Sequence, residues 1–440
     1  MHPFARGSLV LFGFLGLALG PLAVVGFVSA DAGPRSFLAE LAAAAGYVAF
    51  ALYVLEFALV ARIRWVCEPF GNDALALFHR QVGFVALGST LAHVLLLAGP
   101  GAVRWSALSP FAGPWPMRFG ALALFAALVL VVTSAARRGL ALPYEPWRIA
   151  HRVLALAIVT GMLLHAFLAA PPERGPLVRA ALLAYAALFL AILVHHRLVR
   201  PLWLLRRPWT VVENLDAGGS TRLLRLQPAG HAGFVFEAGQ FAWLITGRSP
   251  FSIQQHPLSI ASSAARPGAL EFAVKALGDW SGTTVPALAP GARVWLDGPH
   301  GAFVPERAPA SGFVLVAGGI GITPMRSVVL TLRDRDDRRP VLVLHAARNR
   351  ARAVFQAELD ALARSGAIQL VSVYEEGDAR PEVERGLVTE ALLRRHLPPG
   401  FERRAFFVCG PGPMMDAVEH ALLRIGVARD RIHSERFDLV

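Results

Sequence analysis

The sequence has few charged residues and almost no cysteine. Only 17% of its 440 residues are charged, whereas 55% are hydrophobic and the mean hydropathy is positive. That balance is too apolar for an ordinary soluble protein and indicates several membrane helices. The two cysteines, Cys67 and Cys409, lie in different halves of the chain. Nothing therefore suggests a disulfide framework or a Cys-based zinc site.

The sequence also has no basic tract, although its formal net charge is +12. The arginines cluster at the ends of apolar runs, so we predict no nucleic-acid partner. Nearly all of the apolar excess lies before about residue 200, and the later part has the mixed composition of globular domains.

Six apolar runs in the first half are long enough to cross a membrane, since a spanning helix needs about 20 such residues. They cover residues 8–30, 37–61, 74–99, 119–135, 149–170 and 177–198. The first run could be a signal peptide, because VSADA resembles a cleavage site. Its apolar core is longer than that of a signal peptide, so we predict a retained helix.

Arginines between the runs predict the orientation of the helices. Most of them fall on one side of the membrane, at Arg6, Arg62, Arg64, Arg137, Arg138, Arg148, Arg197, Arg200, Arg206 and Arg207. The positive-inside rule then places both termini and the second half of the chain in the cytoplasm. We predict an integral, multi-pass protein of the cell membrane, in which the third and fifth helices both run outward.

Those two helices carry histidines with the same spacing. The third contains HRQVGFVALGSTLAH, from His79 to His93, and the fifth contains HRVLALAIVTGMLLH, from His151 to His165. Fourteen residues make close to four turns, so the two imidazoles of each helix share a face about 21 Å apart. Because the helices are parallel, His79 comes level with His151 (the inner pair) and His93 with His165 (the outer pair).

Two opposed imidazoles suit the axial positions of a haem iron, whereas zinc needs about four ligands. The alternative is a set of hydrogen-bonded core histidines between packed helices. Four histidines with matched spacing favour haem, and we predict two haem b groups, one for each pair. Arg80 and Arg152 could meet haem propionates or extend to the membrane interface. Glu56 could pair with one of these arginines.

Shorter segments with a period of two residues begin after about residue 207 and predict a small antiparallel barrel that ends near residue 306. These segments are VVENL, TRLLRLQP, FVFEAGQFAWLIT, HPLSIASS, LEFAVKAL and ARVWLDGP. From residue 312, strands alternate with helical stretches, which predicts a parallel sheet covered on both faces. The predicted strands are FVLVAG, PVLVLHA, IQLVSVY, AFFVCG and IHSERF.

Two glycine-rich loops follow strands of this α/β region. GGIGITPM begins at Gly318, and CGPGPM begins at Cys409. Glycines let a phosphate approach the backbone, and we expect Thr323 as the cap and Pro324 as the first residue of an anion-binding helix. A glycine turn alone could simply reverse the chain. Two such loops at strand ends predict a dinucleotide site.

With these motifs, the chain resembles the ferric reductase and NADPH oxidase superfamily over nearly its whole length. The resemblance implies a multidomain membrane protein: a six-helix transmembrane bundle, then an antiparallel β-barrel FAD domain and an α/β parallel-sheet nicotinamide-nucleotide domain. We expect these domains at residues 1–203, 204–306 and 307–440.

The resemblance implies roles for residues of the barrel. The strand along the flavin matches His256, Pro257, Leu258 and Ser259, and the serine hydroxyl is suited to the isoalloxazine edge. His256 stands where the wider flavin family often has arginine. The segment that cradles the FAD pyrophosphate matches Lys275, Gly278, Ser281, Gly282, Thr283 and Thr284. Gly298, Pro299 and Gly301 resemble the turn that leaves the barrel.

The resemblance also implies roles in the α/β region. The nicotinamide-nucleotide loop matches without substitution at Gly318, Gly319, Gly321, Thr323 and Pro324. Cys409, Gly410 and Pro411 match the loop whose sulfur lies near the nicotinamide. Phe437 is the candidate for the aromatic ring over the flavin. Cys409 and Phe437 are therefore the predicted catalytic residues.

We predict a transmembrane oxidoreductase that moves electrons from cytoplasmic NAD(P)H through FAD and two haems to an acceptor outside. FAD belongs between NAD(P)H and the haems, because it takes two electrons from the nicotinamide and releases them singly to haem iron. Short outer loops favour a small acceptor, either O2 giving superoxide or a ferric chelate. Besides this acceptor and membrane lipid, no obligatory protein partner is evident. The alternatives are a six-helix transporter or channel with a nucleotide-sensing domain, and a haem-bearing anchor for a partner enzyme.

The choice of nucleotide depends on the end of the second α/β strand. Arg348, Arg350 and Arg352 lie there, and no carboxylate occurs before Glu358. A guanidinium can hold the 2′-phosphate of NADPH bidentately, whereas an acidic residue favours NADH. The arginines could instead begin a solvated helix. We predict NADPH, with NADH as the alternative.

Overall fold

The computed structural model describes residues 3–29, 36–98, 108–169, 175–266, 268–377 and 383–437. The chain forms two compact units. One, the helical unit, comprises Met1–Pro69 and Ala74–Leu198; the other, the sheet unit, comprises Phe70–Asp73 and Val199–Val440. The domain boundaries stay predictions, and each unit is considered by itself.

Within its described residues, the helical unit contains six helices that are long and apolar enough to cross a membrane, as the sequence predicts. Its helices are α1 (Pro3–Ser29), α2 (Phe37–Val60), the short α3 (Arg64–Cys67), α4 (Asn72–Ala98), α5 (Trp115–Ala135), α6 (Tyr144–Ala169) and α7 (Gly175–Val194). Ser36 begins α2 by accepting a hydrogen bond from the Ala39 N–H. Large apolar side chains such as Phe12 and Phe125 are exposed on the helix surfaces, where lipid is the suitable solvent.

The sheet unit begins with the short helix α8 (Arg200–Leu205), which follows a π-helical turn at His195–Val199. Arg200 donates to Asp297 of the barrel, and Leu204 packs against Ile245 and Trp295. These contacts make α8 part of the barrel's outer surface.

Six antiparallel strands form the barrel, in the order β4-β3-β6-β1-β2-β5. They are β1 (Pro208–Asp216), β2 (Thr221–Pro228), β3 (Phe241–Ile245), β4 (Gln255–Ser259), β5 (Leu270–Lys275) and β6 (Arg293–His300). A bridge between Ile260 and Phe272 joins the two ends of the sheet. The segment predicted as one strand over residues 234–246 is extended only from Phe241, because Gly239 has a φ of +91° and redirects the chain.

The α/β part has six parallel strands in the order β10-β9-β8-β7-β11-β12. They are β7 (Phe313–Gly318), β8 (Val341–Ala347), β9 (Gln369–Tyr374), β10 (Val383–Arg385), β11 (Ala405–Cys409) and β12 (Ile432–Ser434). The helices are α9 (Ile322–Asp334), α10 (Gln356–Arg364), α11 (Glu390–His396) and α12 (Gly412–Ile425). The strand order reverses between β7 and β11, and ligands bind at such switch points.

Two of these elements, β10 and α11, escape the sequence prediction because they are only three and seven residues long. Segments this short give little periodic signal.

Candidate functional site

The inner pair is formed by α4 and α6. The ring centroids of His79 and His151 lie 6.3 Å apart. The Nδ1 atom of His79 contacts the carboxylate of Glu56 on α2, and the Nδ1 atom of His151 lies 3.2 Å from the Ser134 hydroxyl oxygen on α5. Each imidazole is therefore held from behind by a different helix.

The outer pair has the same arrangement. The ring centroids of His93 and His165 lie 6.1 Å apart. Nδ1 of His93 lies 2.8 Å from the Ala42 carbonyl oxygen, and Nδ1 of His165 lies 2.8 Å from that of Pro116. A carbonyl oxygen can only accept, so Nδ1 donates and Nε2 of each ring keeps its lone pair.

Two glycines make room for the outer histidines. A Cβ atom on Gly46 of α2 would lie 2.7 Å from Nδ1 of His93, and one on Gly120 of α5 would lie 2.9 Å from Nδ1 of His165. Any side chain at either position would force the imidazole to move. The backbone of α2 and α5 is thus shaped to these two rings.

Glu56 does not take the predicted partner. We expected a pair with Arg80 or Arg152, but the carboxylate contacts His79. Gly83, one turn after His79, lies on the same face of α4, and its missing Cβ would be 3.9 Å from Glu56 Oε1. Because successive residues of a helix point about 100° apart, Arg80 projects in another direction.

In the sheet unit, the two glycine-rich loops lie against each other. Their strands are neighbours, with Cys409 of β11 paired to Ala317 of β7. A Cβ atom on Gly321 would lie 2.2 Å from the Cys409 carbonyl oxygen, and one on Gly318 would lie 2.8 Å from Pro411 Cδ. The structure thereby brings Gly318, Gly321 and the segment Cys409–Pro411 together at the switch point.

The predicted helix start after the first loop is wrong by two residues. Helix α9 begins at Ile322 with Gly321 as its cap, and no side chain caps it. The hydroxyl of Thr323 donates to the Ile320 carbonyl oxygen at 2.8 Å and does not cap the helix. A 3-10 turn at Gly319–Gly321 leads directly into α9 and moves Thr323 and Pro324 inside the first helical turn.

Strand β4, which carries the predicted flavin residues, and Phe437 both have Phe241 of β3 as a neighbour. Ser259 pairs with Phe241 of β3, and the ring of Phe437 meets that of Phe241 edge-on at 5.9 Å. Pro257 and Leu258 pair with residues of the same strand β3. The predicted flavin strand β4 and the C-terminal aromatic Phe437 thus both contact β3.

Sequence reasoning missed two residues of this region. The indole of Trp280 stacks on His256 with ring centroids 3.7 Å apart, and only its position beside the predicted Ser281 segment could have signalled it. Glu435 is buried, and one of its carboxylate oxygens lies 3.0 Å from the place of a Cβ on Gly301. Its position two residues before Phe437 was the available signal.

The predicted pyrophosphate segment forms a π-helical turn at Trp280–Thr284. The Ser281 hydroxyl accepts from the backbone N–H of Leu277 and Gly278, and the Thr283 hydroxyl donates to the Asp279 carbonyl oxygen. Both hydroxyls therefore shape the turn that also contains Gly282 and Thr284. Their contact with a cofactor stays a prediction.

Lys275 connects the barrel to the nucleotide loop. It is the one lysine among 43 basic residues of the chain, at the end of β5. A Cβ atom added to Gly319, whose φ is +55°, would lie 3.9 Å from the Nζ atom of Lys275. A cation thus stands where the predicted flavin segment and the predicted nucleotide loop meet.

Helix α9 is attached to the barrel by a buried arginine. Arg326 donates to the Ala261 carbonyl oxygen, to Glu271 of β5 and to Glu358 of α10. Burial alone would raise the pKa of Glu271, but the charges and hydrogen bonds of Arg326 and Arg225 outweigh it, so its pKa lies below the ordinary value. These hydrogen bonds link the first turns of α9 to the barrel and to α10.

The predicted phosphate-binding arginines have acidic partners. Arg348 donates to Glu376 at 2.8 Å, and Arg350 donates to Asp360 at 2.6 Å. Both arginines are exposed, and these ion pairs raise the pKa of each guanidinium. Sequence reasoning found no nearby carboxylate, because both partners come from other elements of the sheet unit.

The fold and these sites define a class: a multi-pass membrane protein that carries a reductase-type nucleotide module. Residues 45–162 match the ferric reductase like transmembrane component, and residues 315–420 match the oxidoreductase NAD-binding domain. The chain thus joins a ferric-reductase-like transmembrane domain to a reductase-type NAD-binding domain, which confirms the predicted resemblance.

Two curated relatives of this chain are reductase components of other systems. The chain is 28% identical to the reductase component of propane 2-monooxygenase of Rhodococcus jostii (strain RHA1), over 49% of this chain and 59% of that protein. It is 32% identical to the stachydrine N-demethylase reductase subunit of Rhizobium meliloti (strain 1021), over 46% of this chain and 59% of that protein. The chain thus spans less than two thirds of the length of these relatives.

Among solved structures, the FAD/NAD-binding domain of a nitric oxide dioxygenase from Vibrio cholerae is 24% identical. The match covers 52% of this chain and 98% of the Vibrio cholerae chain, with a TM-score of 0.48. The family matches support an NAD-binding domain of oxidoreductase type in a chain that also has a ferric-reductase-like transmembrane component.

Proposed function

We propose that this protein moves electrons from NAD(P)H through FAD and two bis-histidine haems to a small acceptor on the other side of the membrane. The observation that carries the proposal is the presence of two opposed histidine pairs in a chain that also has an NAD-binding domain. Both termini and the sheet unit would be cytoplasmic, as the arginine distribution predicts.

The geometry of the pairs fits haem. A metal–imidazole bond is about 2 Å long and the bonded nitrogen lies roughly 1 Å from the ring centre, so a metal between two opposed rings requires centroids roughly 6 Å apart. The pairs measure 6.3 and 6.1 Å. Partners on Nδ1 leave Nε2 of each ring for the metal, which is the usual arrangement of groups behind a ligating histidine.

In the sheet unit, β4, Lys275 and the turn at Trp280–Thr284 would hold FAD, and Phe437 would cover its ring. The backbone of Gly318–Gly321 and the segment Cys409–Pro411 would hold the nucleotide. FAD, when bound, can accept two electrons as a hydride from NAD(P)H and release them singly. The role of the chain is to keep these two sites in contact, through Lys275 beside Gly319 and through Arg326.

The acceptor would be O2 or a ferric chelate, because the segments between the predicted outer helix ends are short and favour a small molecule. Superoxide and ferrous iron should be measured on the same NAD(P)H-reduced membranes. Formation of one product alone would identify the acceptor.

His93→Ala tests the electron path. We expect this variant to lose the outer haem and transfer to an external acceptor, while NAD(P)H still reduces the flavin. The measurements are haem content, the low-spin bis-imidazole spectrum and flavin bleaching. Retention of both haems in His93→Ala would contradict the pairing, and a purified protein without a Soret band would favour the transporter alternative.

Lys275 gives an independent test of the sheet unit. Because it is the chain's one lysine, an amine-specific reagent can label only Lys275 and an α-amino terminus. We expect FAD and NADP(H) together to protect Lys275 from labelling. Equal labelling with and without the cofactors would exclude Lys275 from the site.

A further inference from the structure

The two histidine pairs differ in the groups that hold Nδ1. The outer histidines donate to the backbone carbonyls of Ala42 and Pro116, which are neutral. In the inner pair, Ser134 provides a neutral hydroxyl for His151, but His79 contacts the carboxylate of Glu56. Glu56 is therefore the one acidic partner in these four contacts.

A carboxylate at this place is costly. Glu56 is only 7% exposed, and its neighbours on α2 include the buried Val54 and Leu55. Burial of an acid among apolar helices is unfavourable unless a partner compensates for it. A backbone carbonyl is sufficient to orient an imidazole, as the outer pair demonstrates, so orientation alone does not explain Glu56.

We infer that Glu56 is a positioning residue that lowers the reduction potential of the inner haem below that of the outer haem. The inference rests on the proposed function. A carboxylate on Nδ1 makes Nε2 of His79 a more basic ligand. Stronger donation and a nearby negative charge in an apolar environment both stabilise ferric over ferrous iron.

This difference would give the electron path a direction. One electron passing from the inner to the outer pair would move toward the higher potential, and no bond is formed and no proton is transferred in that step. The two pairs have nearly equal ring spacing, and among the four partners on Nδ1 only Glu56 is acidic.

The test is a potentiometric titration of the full-length, haem-loaded protein, followed in the haem absorption bands. We expect two one-electron steps in the native protein. His93→Ala, with only the inner haem, should reproduce the lower step. Glu56→Gln keeps the shape and an acceptor oxygen but removes the charge, and we expect a tenfold change in the equilibrium constant, a rise of about 59 mV in the lower step alone.

Two control variants separate charge from packing. Glu56→Asp keeps the charge and should return the lower step toward its native potential. Ser134→Ala removes a neutral partner from the other inner ligand and should shift the lower step less than Glu56→Gln does. The low-spin spectrum should be unchanged in all three variants, which shows that both ligands remain bound.

The inference is overturned if the inner haem is not the one of lower potential in the native protein. It is also overturned if Glu56→Gln shifts neither step or shifts both equally. If Glu56→Gln does not bind haem, two other measurements test the inference. The inner haem must have the lower potential in the native protein, and Glu56→Asp must keep the lower step near its native potential. Native protein without haem would refute the proposed function, whereas two haems with no effect of Glu56 would refute only this inference.

Discussion

The candidate site of the helical unit consists of side chains, whereas the candidate nucleotide site of the sheet unit consists mostly of backbone. In the helical unit, four imidazoles project from α4 and α6 into the space between them. In the sheet unit, loops that follow the paired residues Ala317 and Cys409, 92 positions apart in sequence, approach each other because glycines leave out their Cβ atoms. Chemistry in the first unit therefore depends on residue type and spacing, and in the second on how closely two chain segments can approach.

The largest effect is expected from a methyl group between the two nucleotide loops. In Gly321→Ala, the new Cβ would lie 2.2 Å from the Cys409 carbonyl oxygen, and the backbone cannot yield as a flexible side chain can. We expect flavin reduction by NAD(P)H to fall by about 100-fold or more, since a misplacement of about 1 Å is enough for such a loss. Stopped-flow flavin bleaching measures this rate.

The control for Gly321→Ala is Gly268→Ala, which meets no atom within 4 Å and should leave the rate unchanged. Chemically reduced haem spectra should be normal in both variants. A normal rate of flavin reduction in Gly321→Ala would show that the two loops can separate without loss of function. The nucleotide site would then not depend on their close approach.

A methyl group in the helical unit should remove one cofactor without affecting the other unit. In Gly46→Ala, the new Cβ would lie 2.7 Å from Nδ1 of His93 and displace the ring from the Ala42 carbonyl. We expect loss of the outer haem, measured as haem per chain, with normal flavin reduction. Gly88→Ala on α4 meets nothing within 4 Å and should retain both haems. If Gly46→Ala also retains both haems, the His93 imidazole can move away from the new methyl group and still bind haem.

Arg326→Met should destabilise the sheet unit alone. The change leaves Glu358 and the Ala261 carbonyl without this donor, while Glu271 keeps Arg225. Loss of one partner from a buried ion pair costs about 3–5 kcal/mol, and we expect the lower end of that range in the free energy of unfolding. Urea unfolding followed by flavin fluorescence gives this value. Arg338→Met, which breaks an ion pair at the surface, is the control and should have no measurable effect.

The smallest effect is expected at the exposed arginines. Glu376→Gln and Asp360→Asn would release Arg348 and Arg350 from their ion pairs. The ratio of kcat/KM for NADPH to that for NADH should rise, but by less than about tenfold, because exposed ion pairs are weak. Arg348→Ala and Arg350→Ala should lower the same ratio. A ratio that none of the four substitutions moves would remove these arginines from nucleotide recognition.

Local patterns in the sequence predicted the elements of both units well. The six spanning helices follow from runs of apolar residues, and the strands of the two sheets follow from alternation and from glycine or proline breaks. Such signals need only neighbouring residues. Signals for the start of a helix were less reliable. Thr323 resembles a helix cap in the sequence, but the 3-10 turn at Gly319–Gly321 leads into the helix two residues earlier. The Thr323 hydroxyl donates to the carbonyl oxygen of Ile320, which precedes it in the chain.

The sequence by itself determined that four histidines form two levels, because a helix converts fourteen residues into a shared face and parallel helices align equal spacings. Only the tertiary structure decided what stands behind each imidazole. Glu56 lies 23 residues before His79, and the Ala42 carbonyl lies 51 residues before His93. No periodicity connects such positions, since the packing of α2 against α4 sets which group meets which ring. The same holds for Glu376 and Asp360 beside the arginines, whose contacts depend on the folded sheet unit.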